Sequence, residues 1–135
     1  MQELKIPATI DNLGQVLSFI ETITEENEIA MQESMAVQIA TEEVFVNIAN
    51  YAYGDGEGEA LIQVDITQSE IKLVFVDSGI PYNPLQKTDP DITLSMENRA
   101  IGGLGIYMIK ESMDEVSYRY EDEKNILTLI KRFSA

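Results

Sequence analysis

The chain contains no cysteine and no histidine. Without cysteine it forms no disulfide and offers no thiolate as a nucleophile or metal ligand. Without histidine it lacks the commonest general base and metal ligand, and it cannot carry a phosphohistidine of its own. Any catalysis must therefore depend on carboxylates, amides, hydroxyls and backbone groups.

Positive charge is also scarce. Nine Lys and Arg residues stand against 24 Asp and Glu, so the net charge is −15. Such a surface repels nucleic acid and anionic membranes, and we expect no direct nucleic-acid binding. The acidity is consistent with steering a basic protein partner, and equally with an acidic surface that only maintains solubility.

No stretch is long and apolar enough to span a membrane. Residues 1–5 alternate in polarity, unlike the apolar run of a signal peptide. We therefore expect a cytoplasmic protein without membrane contact. With 135 residues, of which 44% are hydrophobic, the chain can bury one good core, which predicts a single domain over residues 1–135.

The first part of the chain predicts one strand and two helices. Residues 3–8 alternate and include a proline, as in a short edge strand. Thr9 or Asp11 is expected to cap a helix whose apolar residues run from 13 to 23 and which ends in an acidic run at 25–28. A second helix is predicted over 31–52.

The second part predicts mainly strands. A glycine-rich turn precedes a hairpin, and a long segment without periodicity, 82–101, is typical of a functional lid or of disorder. The predicted elements are strands at 61–66, 71–76, 115–120 and 125–131, and a helix opening at 102–105 and running to 113. This grouping indicates an α+β fold, a two-layer sandwich with a mostly antiparallel sheet and helices on one face.

The second predicted helix carries a polar stripe between apolar flanks. If Glu43 is placed at zero and each residue adds about 100°, Asn47 falls near +40° and Asn50 near −20°, while Glu42 points away. Burying a carboxylate and an amide costs free energy unless something pairs with them. The stripe is either the wall of a site or ordinary groove surface, and the spacing alone leaves both open.

Two further segments have residue types suited to a nucleotide. Asp77, followed by Ser78 and Gly79 where a strand ends, would hold a carboxylate able to accept a hydrogen bond from an exocyclic amine such as that of adenine. The alternative is an ordinary strand-ending turn. The glycines of 102–105 precede a helix and expose N–H groups that suit phosphate, although a tight packing turn explains them as well. Neither common phosphate fingerprint matches.

No single motif identifies a family, but the three motifs in this order resemble one. Glu-x-x-x-Asn on a helix, Asp-x-Gly after a strand, and a long loop ending in Gly-x-Gly before a helix together resemble the ATP-binding fold of the GHKL superfamily, over residues 30–132. Within it, the chain looks most like the anti-sigma-factor serine/threonine kinases. The resembling segments are 43–47, 77–84, 101–106, 114–116 and 125–131.

The resemblance implies roles for these residues with ATP and Mg²⁺ as cofactors. Asn47 would coordinate Mg²⁺ between the ATP phosphates, and Glu43 would orient or deprotonate the attacking hydroxyl. Asn50 would lie beside them in the nucleotide site. Asp77 and Gly79 would recognise adenine. The loop residues Gly103, Leu104 and Gly105 would wrap the phosphates, together with the lid.

One departure stands out in the turn after Asn47. Many relatives carry a basic or histidine residue there, whereas this chain has Asn50 and Tyr51. One hypothesis is that Lys87 or Arg99 in the lid provides the positive charge near the transferring phosphate, and both equally fit solvated loop charge. The missing basic residue argues against phosphoryl transfer more than against ATP binding.

Three functions follow from the resemblance. The first is a Mg-ATP-dependent serine/threonine kinase that phosphorylates an anti-sigma-factor antagonist protein. The second is a nucleotide-gated binding module without turnover, and the last is a bare ATPase. A sigma factor and a second copy of the chain are further partners that the resemblance suggests.

Overall fold

The computed structural model describes residues 1–54, 56–86 and 109–133. Its centre is one sheet of five strands in the order β1-β2-β3-β5-β4, and every neighbouring pair is antiparallel. The strands are β1 (Gln2–Pro7), β2 (Glu59–Ile66), β3 (Glu70–Asp77), β4 (Glu115–Glu121) and β5 (Lys124–Arg132). The predicted edge strand and the predicted hairpin of β2 and β3 are confirmed, and β4 and β5 form a second hairpin.

Two long helices connect β1 to β2. Helix α1 spans Leu13–Glu26, and helix α2 spans Met31–Asn47 and continues into a π-helical turn, Ile48–Ala52. Short 3-10 turns occupy Ile10–Asn12 and Pro84–Gln86, and residues 109–112 are helical. No described helix is long and apolar enough to cross a membrane.

The predicted helix caps are wrong. Neither Thr9, which precedes the 3-10 turn, nor Asn12, which precedes α1, makes a side-chain capping bond, and Asp11 lies inside the turn. The Asn12 side chain instead donates to the carbonyl of Pro7 at 2.9 Å. That bond fixes the chain reversal from β1 into the helices, so the polar residues here stabilise a turn.

One hydrophobic core joins the helices to the sheet. Alternate strand residues are buried, such as Ile62 and Val64 in β2 and Leu73 and Phe75 in β3. They share a cluster with apolar residues of both helices, including the fully buried Phe45. Because period-two burial requires a covered face, the helices lie on one side of the sheet, and the predicted α+β architecture is confirmed.

Candidate functional site

A mostly apolar pocket opens between the C-terminal end of α2 and the sheet. Its polar side chains include Asn47 on the helix and, on the sheet, Asp77 at the end of β3 and Asn125 at the start of β5. The described lining residues are Val44, Asn47, Ile48, Tyr51, Ala52, Phe75, Asp77, Ile80, Tyr82, Pro84, Tyr118, Asn125 and Leu127. Such an apolar cleft with a few convergent polar groups is typical of a small-molecule site.

Asp77 and Asn125 form the polar floor of this pocket. They are paired across the β3–β5 ladder, and both are buried, at 8% and 6% exposure. The Asp77 Oδ1 atom accepts hydrogen bonds from the Asn125 side-chain nitrogen and from the Gly79 backbone N–H, both at 2.9 Å. Within the described contacts, Oδ2 has no protein donor, so it is the oxygen available to a ligand.

Asn125 uses its full hydrogen-bonding capacity. Its nitrogen also donates to the carbonyl of Ile80 at 2.9 Å. Its oxygen accepts from the backbone N–H of Tyr82 at 3.1 Å and from the Tyr118 hydroxyl. A side-chain amide has two donors and two acceptor positions, so this side chain is fully satisfied and held in one orientation. It therefore fixes both the Asp77 carboxylate and the segment that follows β3.

Gly79 allows the turn after β3 to approach the π-helical turn. A Cβ at this position would lie 2.1 Å from the carbonyl oxygen of Ala52, which excludes any side chain. The next residue, Ile80, donates its N–H to that same oxygen at 2.8 Å. The glycine therefore lets backbone contact backbone, and this contact ties the end of the α2 segment to the residues following Asp77.

Tyr53, which is not among the described lining residues, stabilises the turn after β3. Its hydroxyl donates to the carbonyl of Glu59 at 2.5 Å and accepts the backbone N–H of Ser78 at 3.0 Å. Burial raises the pKa of Tyr53 and also that of Tyr118 on the pocket wall. Both hydroxyls therefore stay protonated, and remain donors, to a higher pH than an ordinary tyrosine.

Glu43 and Asn47 lie one turn apart on α2, as the projection predicts. The Asn47 side-chain nitrogen donates to Glu43 Oε1 at 3.3 Å, and both side chains are half-buried. Because a carboxylate only accepts, this contact turns the Asn47 amide oxygen away from Glu43. Glu42 is exposed, in agreement with the same projection.

The donor set at Asn47 fits a magnesium ion held mainly by phosphate and water. The described residues contain no cluster of three carboxylates or histidines that could hold a metal alone. Mg²⁺ commonly takes only one or two protein oxygens beside substrate phosphates. The Asn47 amide oxygen, oriented by Glu43, can provide one of them.

Other predicted site residues lie apart from this arrangement or outside the described residues. The π-helical turn is wider than an α-helical one and changes the direction of Asn50, whose side chain is exposed and is not among the described lining residues. Gly103, Leu104 and Gly105 lie outside the described residues, as do Lys87, Arg99 and most of the predicted lid.

The sequence patterns did not predict three residues of the site: Asn125, Tyr53 and Tyr118. Asn125 opens a predicted strand, and Asp77 directly follows another. Antiparallel pairing of those two strands would have placed the residues opposite each other, so this signal was present. The two tyrosines follow no motif, because their roles depend on contacts between segments distant in sequence.

Comparison with known proteins gives one family. A family model described as the histidine kinase-like ATPase domain matches residues 6–131. The serine-protein kinase RsbW of Bacillus thuringiensis (strain Al Hakam) is 25% identical over 129 residues, which cover 93% of this chain and 81% of that protein. RsbW of Bacillus anthracis (strain CDC 684 / NRRL 3495) matches with the same identity and coverage.

Solved structures share the fold at low sequence identity. The RsbU and RsbW domains of Rv1364c from Mycobacterium tuberculosis superpose with a TM-score of 0.65 and 14% identity, covering 98% of this chain and 32% of that longer one. The catalytic domain of histidine kinase ThkA gives 0.54 and 11%, covering 98% of both chains. The resemblance to the GHKL superfamily and its anti-sigma kinases is thus confirmed, and the chain belongs to the histidine kinase-like ATPase domain family.

Proposed function

We propose that this protein is a Mg-ATP-dependent serine/threonine protein kinase that acts as an anti-sigma-type regulator and phosphorylates an anti-sigma-factor antagonist protein. The observation that carries the proposal is the combination of a fixed buried carboxylate on the pocket floor with a carboxylate-amide pair on the helical wall. The kinase relatives named RsbW support the same activity.

The pocket floor would bind adenine. Asp77 Oδ2 would accept a hydrogen bond from the exocyclic amine, while Gly79 and Asn125 hold Oδ1 from the other side. The purine would lie against apolar side chains such as Ile48 and Leu127. Because the carboxylate is already fixed before binding, little orientational freedom is lost when the base enters.

The helical wall would handle the phosphates and the attacking hydroxyl. Magnesium bound with ATP would neutralise phosphate charge, and the Asn47 amide oxygen would hold it. Glu43, one turn earlier on the same rigid helix, would accept the proton from the serine or threonine hydroxyl as it attacks the γ-phosphate. Gly103, Leu104 and Gly105 would enclose the phosphates by resemblance to the family.

Phosphate transfer from labelled ATP to a purified antagonist protein from the same source tests the proposal. Glu43→Gln should reduce transfer by about 100-fold or more, as loss of a general base does, and should leave ATP affinity nearly unchanged. Glu42→Gln is the matched control, because that neighbour is exposed and points elsewhere. Wild-type transfer by Glu43→Gln would refute the role of Glu43.

A second candidate function is nucleotide-gated protein binding without turnover. It is favoured by the turn after Asn47, because residues 48–54 contain no Lys, Arg or His to contact a transferring phosphate. In that case partner affinity would differ between ATP and ADP, and no phosphoprotein would form. Steady phosphorylation of the partner by wild-type protein would exclude this alternative.

A further inference from the structure

Helix α2 presents a line of large apolar side chains to solvent. Met31, Met35 and Ile39 are 78%, 56% and 42% exposed, and they follow one another at intervals of four residues. That spacing places them on one stripe, opposite the buried face that contains Val37 and Val44. We call this stripe the α2 ridge. Single exposed apolar residues are ordinary, whereas a continuous line of them marks an interaction surface.

The helical segment that carries the α2 ridge has charged residues of one sign. No Lys or Arg occurs between Lys5 and Lys72, a range that includes both long helices. Apart from Glu33, which is buried, the acidic residues from the start of the helical layer to the end of the π-helical turn are Asp11, Glu21, Glu25, Glu26, Glu28, Glu42 and Glu43. A partner that covers the ridge would therefore be attracted if it carried positive charge around an apolar face.

The α2 ridge leads to the candidate active site. Ile39 lies one helical turn before Glu43 and on the same side of α2. Glu43 in turn contacts Asn47, which lines the pocket. A polypeptide lying along the ridge would therefore reach the position where a hydroxyl must meet the proposed base.

We propose that the α2 ridge docks the protein substrate, through a segment whose apolar side chains are flanked by Lys or Arg. This inference rests on the proposed kinase function, because it assigns the surface from which the substrate hydroxyl approaches Glu43. The apolar contacts would contribute most of the affinity, and the acidic surroundings would speed association and select against acidic segments.

Fluorescence anisotropy with synthetic peptides tests the docking surface. The probe is a labelled amphipathic helical peptide of Leu and Lys, and its counterpart has Glu at every Lys position. The variant combines Met31→Ser, Met35→Ser and Ile39→Ser, which removes the ridge without changing charge. The matched control combines Ile10→Ser and Tyr120→Ser, which are 48% and 44% exposed and belong to the 3-10 turn before α1 and to β4.

The Leu-Lys peptide should bind the wild-type protein, and the ridge variant should bind it at least about tenfold more weakly, or about 1.4 kcal/mol. The control variant should bind like wild type, and the Leu-Glu peptide should not bind. Because the replaced side chains are exposed, the ridge variant should keep its thermal unfolding midpoint and ATP affinity. Met35→Ser alone provides a milder variant with a smaller loss.

Equal binding by wild type and ridge variant would overturn the proposal, as would equal binding of both peptides or no peptide binding at all. Sedimentation that shows self-association lost in the ridge variant, without a change in peptide binding, would assign the surface to a second copy instead. Peptide binding requires neither turnover nor Glu43. A failure of the kinase proposal and a failure of the docking proposal are therefore distinguishable.

Discussion

Replacing Asp77 with asparagine changes a single atom that the proposed adenine contact depends on. Gly79 and Asn125 both donate to Oδ1, so an asparagine would keep its oxygen on that side. Its NH₂ group would then stand where Oδ2 stands and would meet the amine of adenine donor to donor. The substitution therefore keeps the hydrogen bonds within the protein and replaces the acceptor that faces the ligand with a donor.

The loss of ATP affinity can be worked from these contacts. A hydrogen bond to a charged group contributes about 1.5 to 3 kcal/mol, and a buried donor left without an acceptor costs about 1 to 3 kcal/mol. We expect a combined loss of about 3 to 4 kcal/mol, or roughly 100- to 1000-fold in Kd. Because Oδ1 keeps both donors, the free energy of unfolding should fall by only about 1 kcal/mol.

Isothermal titration of Asp77→Asn with Mg-ATP and with Mg-inosine triphosphate measures the effect. Inosine has a carbonyl where adenosine has the amine, so the variant should lose ATP affinity and prefer the inosine nucleotide. Asp65→Asn, at an exposed position of β2, is the matched control and should bind ATP like wild type. Near-native ATP affinity in Asp77→Asn would refute the assignment of Asp77.

Three further predictions concern the groups around Asp77. Asn125→Ala should lower the free energy of unfolding by about 2 to 4 kcal/mol, measured by urea denaturation. The donors and acceptors that bond to the Asn125 side chain, among them the buried Asp77 carboxylate, would lose their partner. A change below about 0.5 kcal/mol would contradict the network. Gly79→Ala should displace the turn from Ala52, since the new Cβ would lie 2.1 Å from its carbonyl oxygen, and should weaken ATP binding in the same titration. Because burial raises the pKa of Tyr53 and Tyr118, the stability that their protonated hydroxyls contribute is present below the ordinary value of 10.0 and is lost as the pH rises through the folded-state pKa. Each Tyr→Phe variant should therefore remove one late-ionising tyrosine from the alkaline absorbance titration, and an unchanged titration would contradict the raised pKa values.

Local patterns in the sequence were enough to predict the elements and part of the site. Alternating polarity identifies β2 and β3, because one face of the sheet is covered and the other is not. Helical spacing likewise distinguishes Glu43 from Glu42, since only Glu43 faces Asn47. These predictions hold because each depends on residues within a few positions of one another.

The remaining features depend on contacts between distant segments or on local geometry that a regular helix does not represent. Asn125 is 48 residues from Asp77 and becomes its neighbour only through the pairing of β3 with β5. Asn50 lies within a π-helical turn, so the α-helical projection does not give its direction. The role of Gly79 depends on the carbonyl of Ala52, which no sequence pattern associates with it.

The central claim is that the pocket between α2 and the sheet recognises the adenine of ATP. Equilibrium titration of the wild-type protein with Mg-ATP and with Mg-GTP tests it most directly. Adenine has an exocyclic amine whose hydrogen bond Asp77 would accept, whereas guanine has a carbonyl at that position. We expect ATP to bind at least about 100-fold more tightly than GTP. Equal affinity for the two nucleotides, or no binding of ATP, would contradict the claim.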